Sequence, residues 1–502
     1  MRRLVLLGLL VLGLVPGTAA AGPGLLVGLG DDTGKWSDHS LTPLAVHDLD
    51  ARAQRITVRW QPGQTELSGL ELQHIDRATA HAWTLRTVLA VSGTPDSTPQ
   101  TDAARDQFCA FTRSLLLRYP QVNDFVIWNE VNKASFWRPQ YNADGSDAAP
   151  AAYEALLARC WDVMHAQRGS VNLITSTSFR GNDDPEAVSN VSHSPGSFYR
   201  AVGVAYRASG RTQRIFDSLG HNPYPLFSDE RPWRVHHDGQ TFGEGDYASL
   251  MQAAWDGFSG TGQPVPGSDG VTMWYLEDGF QTQLPAPKAG LYTGTETDKR
   301  AVPAGPAAES DPTADPLGKS RAPDQATQLV DAVRLAYCQP AVGAFFNFMS
   351  VDETALAGWQ SGILWADSSP KPSYPALRSV FAEVNAGSVD CGTLKGGSVQ
   401  AWRPLSGVVA SVAWPRAKRP HPALQFKITA DEAATYRARL VSMPTGRTLV
   451  SAEGRLTPTL EETVALRVRK LPRGRYRFRV ELTSSAWSSR RSTLLSKPFR
   501  AN

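Results

Sequence analysis

Cysteine is scarce in this chain. Four occur among 502 residues, at positions 109, 160, 338 and 391. There is no Cys-x-x-Cys and no Cys/His cluster, which removes the usual zinc patterns. Long apolar runs are also missing after the first twenty or so residues, so no later stretch reads as a membrane span. No glycine-rich phosphate loop follows an early strand; "GLGDDTG" (28–34) is a poor match to one. Net charge is almost absent overall, at +3, and no internal repeat is visible. What remains, with 41% hydrophobic and 20% charged residues, is an ordinary globular composition.

The N-terminus reads "MRRLVLLGLLVLGLVPGTAAAGPG". Two arginines, a short apolar run and a small-residue segment have the layout of a secretory signal peptide, residues 1–21, cut near Ala19–Ala21. The run is short for a span, and the flanks lack the fuller twin-arginine pattern. Export by the general route, and hence a secreted protein, is the expectation. In an exported chain an even cysteine count points to disulfides, and four cysteines permit three connectivities. Cys109 with Cys160 and Cys338 with Cys391 are the preferred pairs; reduced, buried cysteines are the alternative.

The length exceeds one typical domain but suits a barrel plus a small module. Apolar, β-branched runs alternate with helical patterns through the first three quarters. Candidate strands are 25–30, 55–60, 84–93, 124–130, 172–179, 215–221, 272–278 and 343–350. Most are apolar on both faces, as strands of a covered parallel sheet are. Amphipathic stretches lie between them, such as "DQFCAFTRSLLLRYP" (106–120) and "PGSFYRAVGVAYRASG" (195–210). Eight strands with intervening helices predict a (β/α)8 TIM barrel over residues 22–393, with a doubly wound open sheet as the runner-up. Residues 283–320 follow the seventh strand and would lie over the barrel's C-terminal face. They are expected to be ordered to about Glu296 and flexible beyond.

Charge is unevenly spread. Residues 394–502 hold 21 Lys/Arg against 6 Asp/Glu, a net +15, and the rest of the chain holds 30 against 42, a net −12. Short alternating strands also begin there, so 394–502 is predicted to be an immunoglobulin- or fibronectin-like β-sandwich.

Barrel chemistry sits at the C-terminal strand ends. Read in order, these ends offer Asp31 and Asp32, then Arg59 and Trp60, then Asn129 and Glu130. Strand six adds His221, Asn222 and Tyr224, and strand seven Glu277 and Asp278. The last loop adds Asp352, Glu353, Trp359, Gln360 and Trp365. Two glutamates on strands four and seven would face each other across the mouth, where paired carboxylates can flank a glycosidic bond. That chemistry needs their pKa values pushed apart, and Arg59 and Tyr224 are suited to keeping one of them ionised. Strict alternation allows only one of Glu277 and Asp278 to face the mouth.

"WNEVN" (128–132) resembles the acid/base signature of clan A glycoside hydrolases, and "WYLEDGFQT" (274–282) resembles that clan's seventh strand. "HNPYP" (221–225) is similar to the sixth-strand element. "GWQSGILWADSSPKPSYPALRSVF" (358–381) looks like the eighth βα segment of secreted bacterial members, cellulase-like or family 39-like. The resemblance covers about residues 25–390. It implies a retaining glycosidase acting on a carbohydrate substrate, with Glu130 as acid/base and Glu277 as nucleophile. It also implies that Asn129 contacts the sugar 2-hydroxyl, that Arg59 and Tyr224 hold the nucleophile, and that His221 lines the site. No metal or organic cofactor is implied.

Of the loop tryptophans 137, 233, 359 and 365, Trp359 is the preferred sugar platform, since indole stacks on a sugar's apolar face. The adjacent histidines of "VHHDG" (235–239) are a poor metal pattern, and Glu244 reads as a solvated loop residue or a subsite contact. Arginines alternate in "RARL", "RVRK" and "RYRFRV", so they would share a sheet face. A solvated face is the plain reading and attachment to an anionic envelope polymer the sharper one; nucleic acid is disfavoured by export. The leading hypothesis is a secreted retaining glycosidase. A non-catalytic carbohydrate-binding or envelope protein on the same scaffold is the second, and a metal-dependent barrel hydrolase the third.

Overall fold

The computed structural model describes residues 22, 24–36, 48–80, 82–297, 299–306, 323–397, 399, 402–413, 423–443, 445–458, 460–468, 471–485 and 490–501. The expected signal peptide lies outside the described residues, as does the segment 307–322.

Eight parallel strands close into a barrel in sequence order. They are β1 (Leu26–Gly30), β2 (Ala53–Arg59), β3 (Arg86–Ser92), β4 (Asp124–Ile127), β5 (Asn172–Ile174), β6 (Ser218–His221), β7 (Thr272–Asp278) and β8 (Val342–Asn347). Ala53, Val88, Ala90, Val126, Ile174, Trp274, Leu276, Ala344 and Phe346 fill the interior as one buried cluster. Side chains of opposite parity, such as Leu89, Val91, Phe125, Leu219 and Tyr275, join the larger core between sheet and helices. Both faces of each strand are thus buried, which is why the runs read as continuously apolar.

Among the described residues seven α-helices surround the barrel: α1 (Gly69–Thr79), α2 (Asp102–Arg118), α3 (Ala149–Gln167), α4 (Pro195–Ser209), α5 (Tyr247–Phe258), α6 (Gln325–Cys338) and α7 (Tyr374–Asn385). Their ends are marked in the sequence. Thr101, Ser194 and Asp324 accept hydrogen bonds from the backbone N–H of Ala104, Ser197 and Thr327, and Gly210 closes α4 in the left-handed region. The sequence reading omitted α1, which starts on a glycine and buries only Ile75, Ala78 and Thr79. Its apolar stripe is too thin to stand out by periodicity.

Both expected disulfides form, Cys109–Cys160 joining α2 to α3 and Cys338–Cys391 joining the end of α6 to the segment after α7. Order beyond strand seven extends further than expected. Residues 299–306 are described, with Val302 and Ala304 buried; Gln283 N–H donates to Val302 O and Val302 N–H to Gln281 O across the loop.

After the barrel come two antiparallel sheets. One has the order β13-β10-β9, from β9 (Gly407–Ala413), β10 (Ala423–Ala430) and β13 (Glu462–Arg467). The other runs β12-β11-β14-β15, from β11 (Ala434–Ser442), β12 (Thr448–Leu456), β14 (Gly474–Ser484) and β15 (Arg491–Leu495), with β16 (Phe499–Ala501) also paired to β14. Leu424, Phe426 and Ile428 meet Phe478, Val480 and Leu482 in a shared core, where Phe426 stacks on Phe478 at 4.3 Å. The barrel holds this unit through Gln252 of α5, whose side chain bonds both the N–H and C=O of Arg491 (2.8 and 3.0 Å).

Candidate active site

The apolar run expected as a strand over 124–130 stops pairing at Ile127. Beyond it Trp128 and Glu130 adopt left-handed conformations, with φ of 66° and 41°. Such residues are strained and persist only where their surroundings over-determine them. Here Trp128 is clamped by packing against Trp60, Phe108 and Trp137, and its indole N–H donates to Phe136 O at 2.8 Å. Glu130 N–H donates to Ser176 Oγ (3.1 Å). The backbone twist delivers the Glu130 carboxylate to the mouth, where Asn222 Nδ2 donates to Oε1 at 3.0 Å.

Glu277 arrives by a different device. Trp274 and Leu276 point into the barrel, so strict alternation would turn Glu277 outward. The β7–β8 register slips between Tyr275 and Asp278, and this irregularity breaks the alternation, as bulges do. Glu277 Oε1 then meets Arg55 Nη1 at 2.8 Å, and Tyr224 Oη donates to Oε2 at 3.1 Å. Arg55 also donates from Nη2 to Asn129 Oδ1 at 3.1 Å. One guanidinium therefore ties strand seven to the end of strand four.

Electrostatics follow from that contact. Burial pushes Glu277 up from the ordinary carboxylate range. The Arg55 charge pulls it back, the Glu130 charge pushes it up again, and the Tyr224 and Arg55 hydrogen bonds favour the anion. The net direction is upward. Glu277 is the carboxylate partner of the Arg55 guanidinium among the described residues, a contact that favours the Glu277 anion. Tyr224 is held protonated well above its usual range by burial and by the charges of Glu277 and Glu130. Both carboxylates keep a little accessible surface, 7% for Glu130 and 8% for Glu277, so neither is sealed from the mouth.

Three expected residues sit differently from their sequence reading. Arg59 is exposed at the far end of β2, where its backbone N–H donates to Glu71; Arg55 occupies the place at Glu277 expected for Arg59. Register explains the shift. Arg55 stands level with Gly30, the last residue of β1, so β2 runs four residues past that level, and the last residue of a strand is not the residue at the mouth of a tilted barrel. His221 points into the wall rather than the mouth. Its ring bonds Thr177 Oγ1 (3.0 Å) and Phe242 O (2.7 Å), and burial lowers its pKa to about 4, so it is neutral. Its neighbour Asn222, present at the strand end but not singled out, is the one that reaches Glu130. Glu244 is not solvated: it is buried, with no hydrogen-bond partner for either carboxylate oxygen among the described residues.

Trp359 stacks on Tyr224 (centroids 4.9 Å apart, 27° between planes) and meets Phe348 edge-on at 5.7 Å. It is half-buried. Trp137 and Trp365, by contrast, are buried. Over the Trp365 ring, Lys371 forms a fully buried ion pair with Asp352 at 2.8 Å that anchors the loop after β8; Lys371 also donates to Thr282 and Gln360. His236 is engaged by Asp246 (2.7 Å) and Glu230 (3.2 Å). Among the described residues no group of three or more His, Cys, Asp and Glu side chains is arranged to hold a metal.

No family model matches the sequence, and no curated protein matches it. Solved structures do resemble the chain. A β-glucuronidase of Bacteroides uniformis is 14% identical, with a TM-score of 0.41, over 96% of this chain and 47% of its own. A putative β-galactosidase of Bacteroides fragilis is 12% identical, with a TM-score of 0.38, over 96% and 56%. A GH5_18 variant from Streptomyces cattleya, in complex with Manb1-4GlcNAc, is 13% identical, with a TM-score of 0.44, over 76% and 83%. The chain spans about half the length of the first two. The barrel itself is established by the closed, sequential order of its eight parallel strands.

Proposed function

We propose that the chain is a secreted retaining glycoside hydrolase of clan A type, acting on a poly- or oligosaccharide. The observation that carries this reading is the asymmetry of the two mouth carboxylates: Glu277 is paired with a guanidinium and a tyrosyl hydroxyl, and Glu130 with a neutral amide. In such a pair Glu277 attacks the anomeric carbon as the glycosidic C–O bond breaks, and Glu130 gives its proton to the departing oxygen. Water, deprotonated by Glu130, then cleaves the glycosyl ester, and Glu277 leaves as the carboxylate. Asn129, whose Oδ1 is engaged by Arg55, has its amide NH2 to offer a sugar hydroxyl. Trp359 supplies a flat apolar wall beside the nucleophile. These steps need no metal or organic cofactor. The two disulfides support export, because such bonds persist in oxidising compartments.

The test is a screen of aryl glycosides and polysaccharides with wild type, Glu277→Gln and Glu130→Ala side by side. Glu277→Gln loses turnover by at least about 10,000-fold. Glu130→Ala keeps activity on substrates with good leaving groups, and azide restores rate with a glycosyl azide of retained configuration. Full activity in either variant refutes the assignment, and binding without turnover in the wild type favours a carbohydrate-binding protein.

A further inference from the structure

The second sheet of the C-terminal unit has one face built almost entirely of charged and hydroxyl side chains. Its register fixes which residues share that face. Thr435 stands opposite Arg455 on one side and Thr483 on the other, and Thr483 is opposite Arg491. One step along, Arg437 lies between Glu453 and Glu481; at the next, Arg439 lies between Ser451 and Arg479. Alternate residues, among them Ala438, Leu440, Phe478, Val480 and Leu482, belong to the sandwich core. The charged face therefore points away from that core, and Arg475 and Arg477 extend it along β14.

The carboxylates on this face are outnumbered. Arg437 pairs with Glu453 (2.6 Å), and Arg439 and Arg479 share Glu481 (3.1 and 3.5 Å). Arg455, Arg475, Arg477 and Arg491 have no carboxylate within ion-pair distance among the described residues. The face is largely exposed, at Thr435, Arg437, Arg455, Arg479 and Arg491 among others. It forms one wall of a cleft of ≈ 1300 Å³, whose other wall is Arg200 of α4 together with Trp255, Asp256 and Ser259 at the end of α5. Such a volume exceeds the range of about 300–1,000 Å³ typical of small-molecule pockets, so it suits an oligomer. The Gln252 contacts to the backbone of Arg491 hold the two walls together.

We propose that this arginine-faced cleft binds a strand of acidic polysaccharide, bearing carboxylate or sulfate groups, and holds the polymer beside the barrel. Guanidinium forks match planar and tetrahedral oxyanions. The interspersed Thr435, Thr483 and Thr493 hydroxyls and the two glutamates can exchange hydrogen bonds with sugar hydroxyls. Trp255 and Tyr436 also line the cleft and can stack on a sugar ring or on a base; export, part of the hydrolase reading, favours the glycan over nucleic acid. The choice of a glycan rests on the hydrolase reading, but binding is measured without turnover.

The experiment uses the full chain carrying Glu277→Gln. Its affinity is measured for polygalacturonate, for dextran sulfate, for unsubstituted dextran and for duplex DNA, at about 50 and 300 mM salt. The carboxylate and sulfate arms identify the anionic group. Binding to at least one acidic glycan is expected, falling steeply with salt and weakened about tenfold or more by Arg455→Gln with Arg491→Gln. A control removing the same charge from the other sheet, Arg467→Gln with Lys427→Gln, should leave affinity within about twofold. No retention of either acidic glycan at low salt overturns the proposal. So does equal loss in the control, or DNA bound more tightly than any glycan. If the wild type binds polymer but turns over no glycoside, the hydrolase reading fails and the cleft stands; turnover without binding gives the reverse.

Discussion

Arg55 and Glu277 form a buried ion pair, Nη1 to Oε1 at 2.8 Å, while the other nitrogen of the same guanidinium reaches Asn129. The pair joins β2, β4 and β7 at one point. Breaking it would leave a buried, unpaired charge, so its removal is costly on two counts. Arg55→Ala should lower kcat/KM by on the order of 100- to 1,000-fold, the scale of losing one fixed electrostatic partner. Arg59→Ala, on the same strand but exposed, should stay within about twofold of wild type, since it touches neither carboxylate. Steady-state kinetics on one aryl glycoside compare the two, and equal losses would show that the Arg55 contact has no special role.

Tyr224 links Glu277 to the aromatic wall, donating to the carboxylate and stacking on Trp359. Tyr224→Phe keeps the stack and loses the hydrogen bond. A drop in kcat of about 10- to 100-fold with little change in KM is expected. Trp359→Ala loses area instead and should act chiefly on KM; the split between kcat and KM separates the two roles.

Asp278, next to the proposed nucleophile in sequence, is buried, and burial raises its pKa to about 8, with Gly279 N–H as its hydrogen-bond donor. Glu244 is raised as well, by burial first and then by the nearby charge of Asp278. A carboxyl whose folded pKa exceeds its unfolded value takes up protons on folding. Stability is then fullest below the unfolded value near 4 and is lost as pH rises through about 8. Asp278→Asn can still accept from Gly279 and has no charge to bury. Denaturant midpoints between pH 5 and 9 should fall with pH in the wild type and flatten in the variant; parallel curves would show that the carboxyl does not titrate as described.

The Cys338–Cys391 bridge spans 53 residues and ties the last barrel helices together. Replacing both cysteines with serine should cost about 2–4 kcal/mol of stability, read as a lower denaturant midpoint. Activity at 25 °C should change little, because neither cysteine approaches the mouth carboxylates.

Much of this molecule is written locally. The eight apolar runs and six of the seven described helices were legible because burial on both strand faces, helix periodicity and end-capping residues are short-range signals. The charge change after residue 394 precedes the two antiparallel sheets, whose first strand begins at Gly407. The alternation of arginines places those of β11 and β14 on one face, as expected, but Arg467 of "RVRK" lies on β13 of the other sheet.

The site depended on relations that no local pattern encodes. Strand ends suggested Arg59, but barrel stagger puts Arg55 at the level of Glu277. Alternation allowed either Glu277 or Asp278 to face the mouth, and a register slip against β8 decided between them. His221 and Asn222 are neighbours with opposite directions, one bound into the wall and one reaching Glu130. The run "FVIWNE" specifies a strand, but the left-handed turns at Trp128 and Glu130 come from the aromatic cluster and Ser176, which are distant in the chain. Residue types and periodicity are properties of the chain alone. Stagger, bulges and side-chain direction are set by how strands pair, and only the closed barrel determines that.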